Sequence, residues 1–148
     1  MVLCACVAGL NAPAIARPGF TTFTLSGSYE TFPDAIANGV ITGWYENADL
    51  TPHDFVRATN GTITTFDPPG SAHTEPAAID DQGEITGWHE DNSRVLHAFT
   101  RQKNGKTTEF QVPGESHTAG ESIDNSPTDK GAITGYYGDA SQGFLRSP

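Results

Sequence analysis

The chain has 148 residues and carries eight Lys plus Arg against 18 Asp plus Glu, a formal charge of −10. That length suits one domain with a real core, and so acidic a surface argues against nucleic acid or an anionic lipid surface as partner. No apolar run approaches the roughly 18–20 residues of a membrane-spanning helix. The 16 Gly and 10 Pro suit a chain that turns often.

Residues 1–18 read as a leader or signal-like segment. Residues 2–10 are apolar and Ala14-Ile15-Ala16 resembles an A-x-A cleavage site, although no basic stretch precedes it. The only cysteines, Cys4 and Cys6, lie here, two residues apart and poorly placed to bridge each other. Residues 19–148, the predicted domain, therefore hold neither a disulfide framework nor a thiolate zinc site. Export is the expectation.

From residue 20 onward the chain repeats. Ile41-Thr42-Gly43-Trp44, Ile85-Thr86-Gly87-Trp88 and Ile133-Thr134-Gly135-Tyr136 recur at a period of about 45 residues. Phe55, Phe99 and Phe144 follow, each with an Arg two residues on, at Arg57, Arg101 and Arg146. Phe23, Phe66 and Phe110 each precede a Gly by four residues, at Gly27, Gly70 and Gly114. Each copy reads as four short strands. In the second these are residues 76–80, 84–89, 96–101 and 106–112, the last two joined by Asn104-Gly105, which predicts a type I′ hairpin turn. Asn60-Gly61 predicts the same turn in the first copy. No window sustains helical periodicity, so the chain is predicted to be all-β.

Residues 20–25 align with the fourth strand of a repeat, and residues 143–146 with the third. The chain thus begins with a fourth strand and ends on a third. That order predicts a propeller-like arrangement of three four-stranded antiparallel repeats whose N-terminal strand closes the last one. A β-trefoil is the alternative fold.

His97-Ala98-Phe99, the Ile-Thr-Gly-aromatic strings, residues 64–70 and Gly143-Phe144-Leu145-Arg146 resemble the HAF-type extracellular repeat, over about residues 19–146. The resemblance implies tandem, propeller-like β repeats of secreted or surface bacterial proteins and no catalytic residues. That family carries Ile-Asn-x-x-Gly before the Ile-Thr-Gly strand, where this chain has Ala37, Asp80 and Asp124 in place of the Asn. Three repeats make an awkward ring, so either two chains pair into a six-sheet ring or the segment belongs to a longer array.

Three groups of side chains are candidates for function. Trp44, Trp88 and Tyr136, with Tyr45 and Tyr137 beside them, form a repeated aromatic set suited to stacking on sugar rings or to packing between sheets. Glu30, His73 and His117 share one repeat position and would offer a zinc-type ligand set if they converged on an axis. His53 and His97 share another and are expected to hydrogen-bond between sheets. The acidic loops at residues 46–49, 90–92 and 138–139 supply oxygens that calcium uses, and that solvated turns use as well. Arg57, Arg101 and Arg146 are expected to form inter-strand ion pairs. No nucleophile elbow, phosphate loop, dinucleotide fingerprint or zinc-protease helix occurs. The expected function is an extracellular, non-enzymatic binding or surface-assembly module, with glycan, a surface protein or a second copy as partner. The alternatives are a purely structural module and a metal-dependent hydrolase on a propeller.

Overall fold

The structure, a computed structural model, describes residues 19–139 and 142–148. The leader-like stretch 1–18 lies outside the described residues. Eleven strands follow one another: β1 (Ser28–Ala37), β2 (Val40–Asn47), β3 (Pro52–Arg57), β4 (Ile63–Phe66), β5 (Ser71–Ile79), β6 (Ile85–Asp91), β7 (Leu96–Arg101), β8 (Thr107–Phe110), β9 (Thr118–Ile123), β10 (Ile133–Tyr137) and β11 (Gln142–Arg146). They form three antiparallel sheets in simple chain order, β1-β2-β3-β4, β5-β6-β7-β8 and β9-β10-β11. Each sheet is one sequence repeat, and the described residues hold no helix.

The repeated motifs have local physical causes. In each sheet the first strand bulges over the second, at Asp34, at Ala77 and at Glu121, where the Cα pairing skips a residue. The bulge brings a backbone carbonyl down onto the glycine of the Ile-Thr-Gly string. A Cβ on Gly43, Gly87 or Gly135 would overlap the carbonyl oxygen of Phe32, Glu75 or Ala119. Glycine is required there by close backbone approach. The threonine before it donates from Oγ1 to the carbonyl of the Phe across the ladder: Thr42 to Phe55 at 3.0 Å, Thr86 to Phe99 at 3.0 Å and Thr134 to Phe144 at 2.9 Å.

The Asn-Gly hairpins differ from the predicted type I′. Gly61 and Gly105 have positive φ but Asn60 and Asn104 do not, and Gly61 N–H donates to Ala58 O. These are three-residue loops, a turn followed by a left-handed glycine, which suits the one extra residue between the paired strands. Among the described residues only Asn38-Gly39, with φ of 48° and 76°, joins its strands by two residues that both have positive φ.

The sheets stack face to face in chain order, β5 lying against β1, β2 and β3, and β9 against β5, β6 and β7. Ile79, Ile85 and Phe99 of the second sheet form the buried core, covered by Ala35, Ala37, Val40, Val56 and Phe66 of the first. The fourth-strand Phe of one sheet meets the third-strand Phe of the next edge-on, Phe66 on Phe99 at 6.3 Å and Phe110 on Phe144 at 6.0 Å. The Arg two residues further on lies over the fourth-strand ring, Arg101 at 4.3 Å from Phe66 and Arg146 at 4.8 Å from Phe110. These arginines, expected to form ion pairs, make cation–π contacts instead, because the strand spacing sets them over an aromatic ring. Turns at one end of the stack are joined in relay, Asn38 Nδ2 donating to Asp81 O and Asp81 N–H donating to Asn125 Oδ1.

The expected closure by the N-terminal strand does not form. Residues 21–25 belong to no ladder, and the last sheet has three strands among the described residues. Broad packing joins the first sheet to the second and the second to the third, and residues 21–25 pack on the first sheet through Phe23. Phe23 meets Phe55 at 6.0 Å and lies 4.9 Å beneath Arg57. It repeats the intersheet contact without the strand ladder. No closed barrel or ring forms from the described residues of a single chain.

Candidate functional site

Two regions collect functional side chains, and the first lies where the leading strands of the sheets adjoin. Phe32 stacks on Trp44 at 4.1 Å and 19°, and His73 sits between the two tryptophans, 6.0 Å from Trp44 and 5.3 Å from Trp88. The sequence-predicted aromatics therefore form a ladder across the first two sheets, each half-buried. Tyr136 occupies the matching place in the third sheet, where burial and then Glu121 and Glu75 push its hydroxyl above the usual tyrosine range. Tyr45 packs 5.4 Å from His53, and Tyr137 donates its hydroxyl to Gln142 Oε1 at 2.6 Å.

The proposed metal ligands do not meet. His73 Nε2 faces Glu75 Oε1 at 3.3 Å, His117 Nδ1 accepts from Leu96 N–H at 3.2 Å, and Glu30 lies exposed on β1 opposite Glu46. Among the described residues no group of three or more His, Cys, Asp or Glu side chains is arranged to hold a metal ion. In the first two acidic loops, side-chain oxygens are occupied by backbone donors. Asn47 Oδ1 accepts from Asp49 N–H and Thr51 N–H, and Asp91 Oδ1 accepts from Ser93 N–H and Val95 N–H. Backbone donors hold the Asp91 carboxyl below the ordinary range, as the Thr51 hydroxyl and then its N–H do for Asp49.

His53 and His97 bond inside their own sheets instead of between sheets. Asn47 Nδ2 donates to His53 Nε2 at 3.2 Å, which places the ring proton on Nδ1 facing Asp67 Oδ2 at 2.8 Å. Gln111 Nε2 donates to His97 Nδ1 at 3.0 Å, so Nε2–H points to Asp91 Oδ2 at 3.4 Å. Asp67 and Gln111 hold one repeat position just past the fourth strand, close enough in the ladder to capture these rings. Buried His89 stacks on His97 at 5.0 Å and shares Nε2 with Glu109 at 3.0 Å, and burial pulls its pKa below the usual histidine value.

Sequence reasoning missed the acids of the leading strands. Asp34 and Glu121 are the two carboxylates at the bulge position, and both sense Glu75 of the middle sheet. Desolvation and then Glu75 push Asp34 up to about 6, and the same causes raise Glu121. Asp54 is fully buried, and its Oδ2 accepts the Thr74 hydroxyl of the next sheet at 2.7 Å while Oδ1 has no partner. Burial pushes it up to about 8, opposed by the Thr74 bond and helped by Asp67, Asp34 and Glu75. A carboxyl neutral near pH 7 has the character of a general acid, but a fully buried one meets no substrate. Its sequence signal was a charged residue at a position that Ala98 and Gly143 fill in the other copies.

The second region is the pair of faces that end the stack. Ile36, Ile79 and Ile123 are one repeat position, 67%, 6% and 7% exposed. Thr42 and Thr86 are fully buried, whereas Thr134 is exposed. At both ends the residues of the interior face are kept and the neighbouring sheet is not there. Residues 33–36 with Ile41 line a shallow depression on the first sheet, and Ile123, Ala132, Thr134 and Leu145 line another on the third.

No family model, curated protein or solved structure matches the chain.

Proposed function

We propose that the protein is a non-enzymatic, extracellular β-repeat module that works by assembling end to end through the two faces of its sheet stack. The observation that carries this reading is the exposure of Ile36 at a position buried in both other repeats. A module that works alone gains nothing from an apolar end face, whereas one that adds further sheets needs it. The resemblance to HAF-type repeats supports a bacterial surface setting, and the acidic charge of −10 supports partners other than nucleic acid. A glycan platform on Trp44 and Trp88 is less favoured, since Phe32 already covers one face of Trp44 and His73 one face of Trp88.

Sedimentation velocity over a range of concentrations tests the reading. The wild-type chain is expected to self-associate, and Ile36→Lys, a change at an exposed position that leaves circular dichroism unaltered, is expected to stay monomeric. A wild-type chain that remains monomeric at every concentration refutes it.

A further inference from the structure

Resting on that assembly reading, we propose that residues 20–25 of one copy form the missing fourth strand of the third sheet of a second copy, and that two copies exchanging this strand close a ring of six sheets. Three observations converge on it.

The first is the pose of residues 21–27. Although they pair with no strand, they are already shaped and seated as a fourth strand with its linker. Ser28 N–H donates to Leu25 O at 3.2 Å, as Ser71 N–H does to Pro68 O at 3.2 Å and Glu115 N–H to Val112 O at 3.0 Å. Gly27, Gly70 and Gly114 take the same left-handed φ, 84°, 83° and 87°. The ring of Phe23 occupies on Phe55 and Arg57 the place that Phe66 occupies on Phe99 and Arg101. In the interior of the molecule a strand in that pose always pairs with the sheet before it, β4 with β3 and β8 with β7.

The second is the edge that lacks a partner. β11 pairs with β10 on one side only among the described residues. Leu145 on it is 77% exposed, while Thr100, the same repeat position in a complete sheet, is 7% exposed. An exposed strand edge with an apolar residue accepts an added strand through main-chain hydrogen bonds.

The third is that the register is dictated. Phe55 pairs with Thr65 and Val56 with Thr64; Phe99 pairs with Glu109 and Thr100 with Thr108. Carried to the third sheet, Gly143 faces Phe23, Phe144 faces Thr22, Leu145 faces Thr21 and Arg146 faces Phe20. That register brings together Phe20, 99% exposed, and β11 with Leu145. It also sets the Ile36 face of the donor against the Thr134 and Leu145 face of the acceptor, as the first sheet sets Val56 against Ile79. Such a contact is head-to-tail and must either close or run on as a filament. Propellers close with about four to eight sheets, and two copies of this three-sheet segment supply six.

The test is a cysteine cross-link in the full chain with Cys4 and Cys6 replaced by Ser. Thr21→Cys with Leu145→Cys are directly opposite in this register, and mild oxidation is expected to give a covalent dimer on a non-reducing gel. Thr22→Cys with Leu145→Cys, which project to opposite faces of the sheet, is expected to give none. Native mass spectrometry and hydrogen exchange accompany it, with a dimer expected and the amides of residues 143–146 protected at least tenfold more than in Ile36→Lys. A dimer without the Thr21–Leu145 link or that protection overturns strand exchange and leaves end-to-end assembly standing, whereas a monomer overturns both. Cross-linked material of monomer size overturns the two-copy assignment, and open-ended polymers overturn ring closure.

Discussion

Replacing Asp54 by Asn removes one titration while keeping shape and the contact with Thr74, and so isolates the cost of a buried carboxyl. In the folded chain Asp54 is held at about 8, and the unfolded chain returns it to about 3.9. Between those values the folded protein keeps a proton that the unfolded chain has lost. Stability therefore falls as pH rises from about 4 to about 8 and levels off above. Values that far apart set a ceiling of about 5–6 kcal/mol. Relaxation and water penetration around an ionised carboxylate reduce it to a working figure of about 2–3 kcal/mol. Urea unfolding of both chains at intervals from pH 4.5 to 8.5 measures it. Asp34, Glu75, Asp67 and Glu121 are present in both, so to first order their titrations cancel in the difference. Asp54→Asn is expected to match the wild type near pH 4.5 and to exceed it by about 2–3 kcal/mol at pH 8.5. Two stability profiles that run parallel across this range refute the argument.

The repeat glycines and phenylalanines give sharper, pH-independent tests. Gly87→Ala drives a methyl group into the Glu75 carbonyl and Pro76 Cα, atoms that cannot rotate away, and is expected to cost at least about 3 kcal/mol in chemical unfolding. Gly70→Ala, where a Cβ meets open space and only the positive φ opposes it, is expected to cost about 1 kcal/mol. Phe99→Ala empties a fully buried site in the core and is expected to cost about 3–5 kcal/mol, against about 1–2 kcal/mol for the half-buried Phe144→Ala in the monomeric Ile36→Lys background. Equal costs for the two phenylalanines would sink the claim that Phe144 lacks part of the cover that Phe99 has.

The repeat was legible because each landmark answers a local requirement. The Ile-Thr-Gly string marks a strand crossed by a bulge, and the Phe and Arg two residues apart mark the third strand. Turn type was less legible, because Asn-Gly suits two hairpins that differ by one residue in loop length. The partner of Arg57, Arg101 and Arg146 was misjudged because charge suggests an ion pair, whereas the intersheet step sets a ring beneath each guanidinium. The acids of the leading strands were invisible to a search for shared positions. Asp34 and Glu121 share a position with Ala77, and Glu75 shares one with Phe32 and Ala119, so no repeated signal marked their approach. Only folding brings them within reach of one another.

What the repeat leaves unaltered is as informative as what it varies. Stacked repeats that end their own array place polar residues on the outermost faces, because nothing covers them. Here the first sheet keeps Ile36 and Ile41 on its outer face, and the third sheet carries Leu145 where the complete second sheet has buried Thr100. The first sheet has Val56 at this position, so the third keeps an apolar residue where a cap would carry a polar one. Meanwhile Phe23 repeats the Phe66 and Phe110 contact although its strand is unpaired. Both ends therefore keep residues of an interior surface, Ile36 and Ile41 on one and Leu145 on the other, where the middle sheet is covered on both faces.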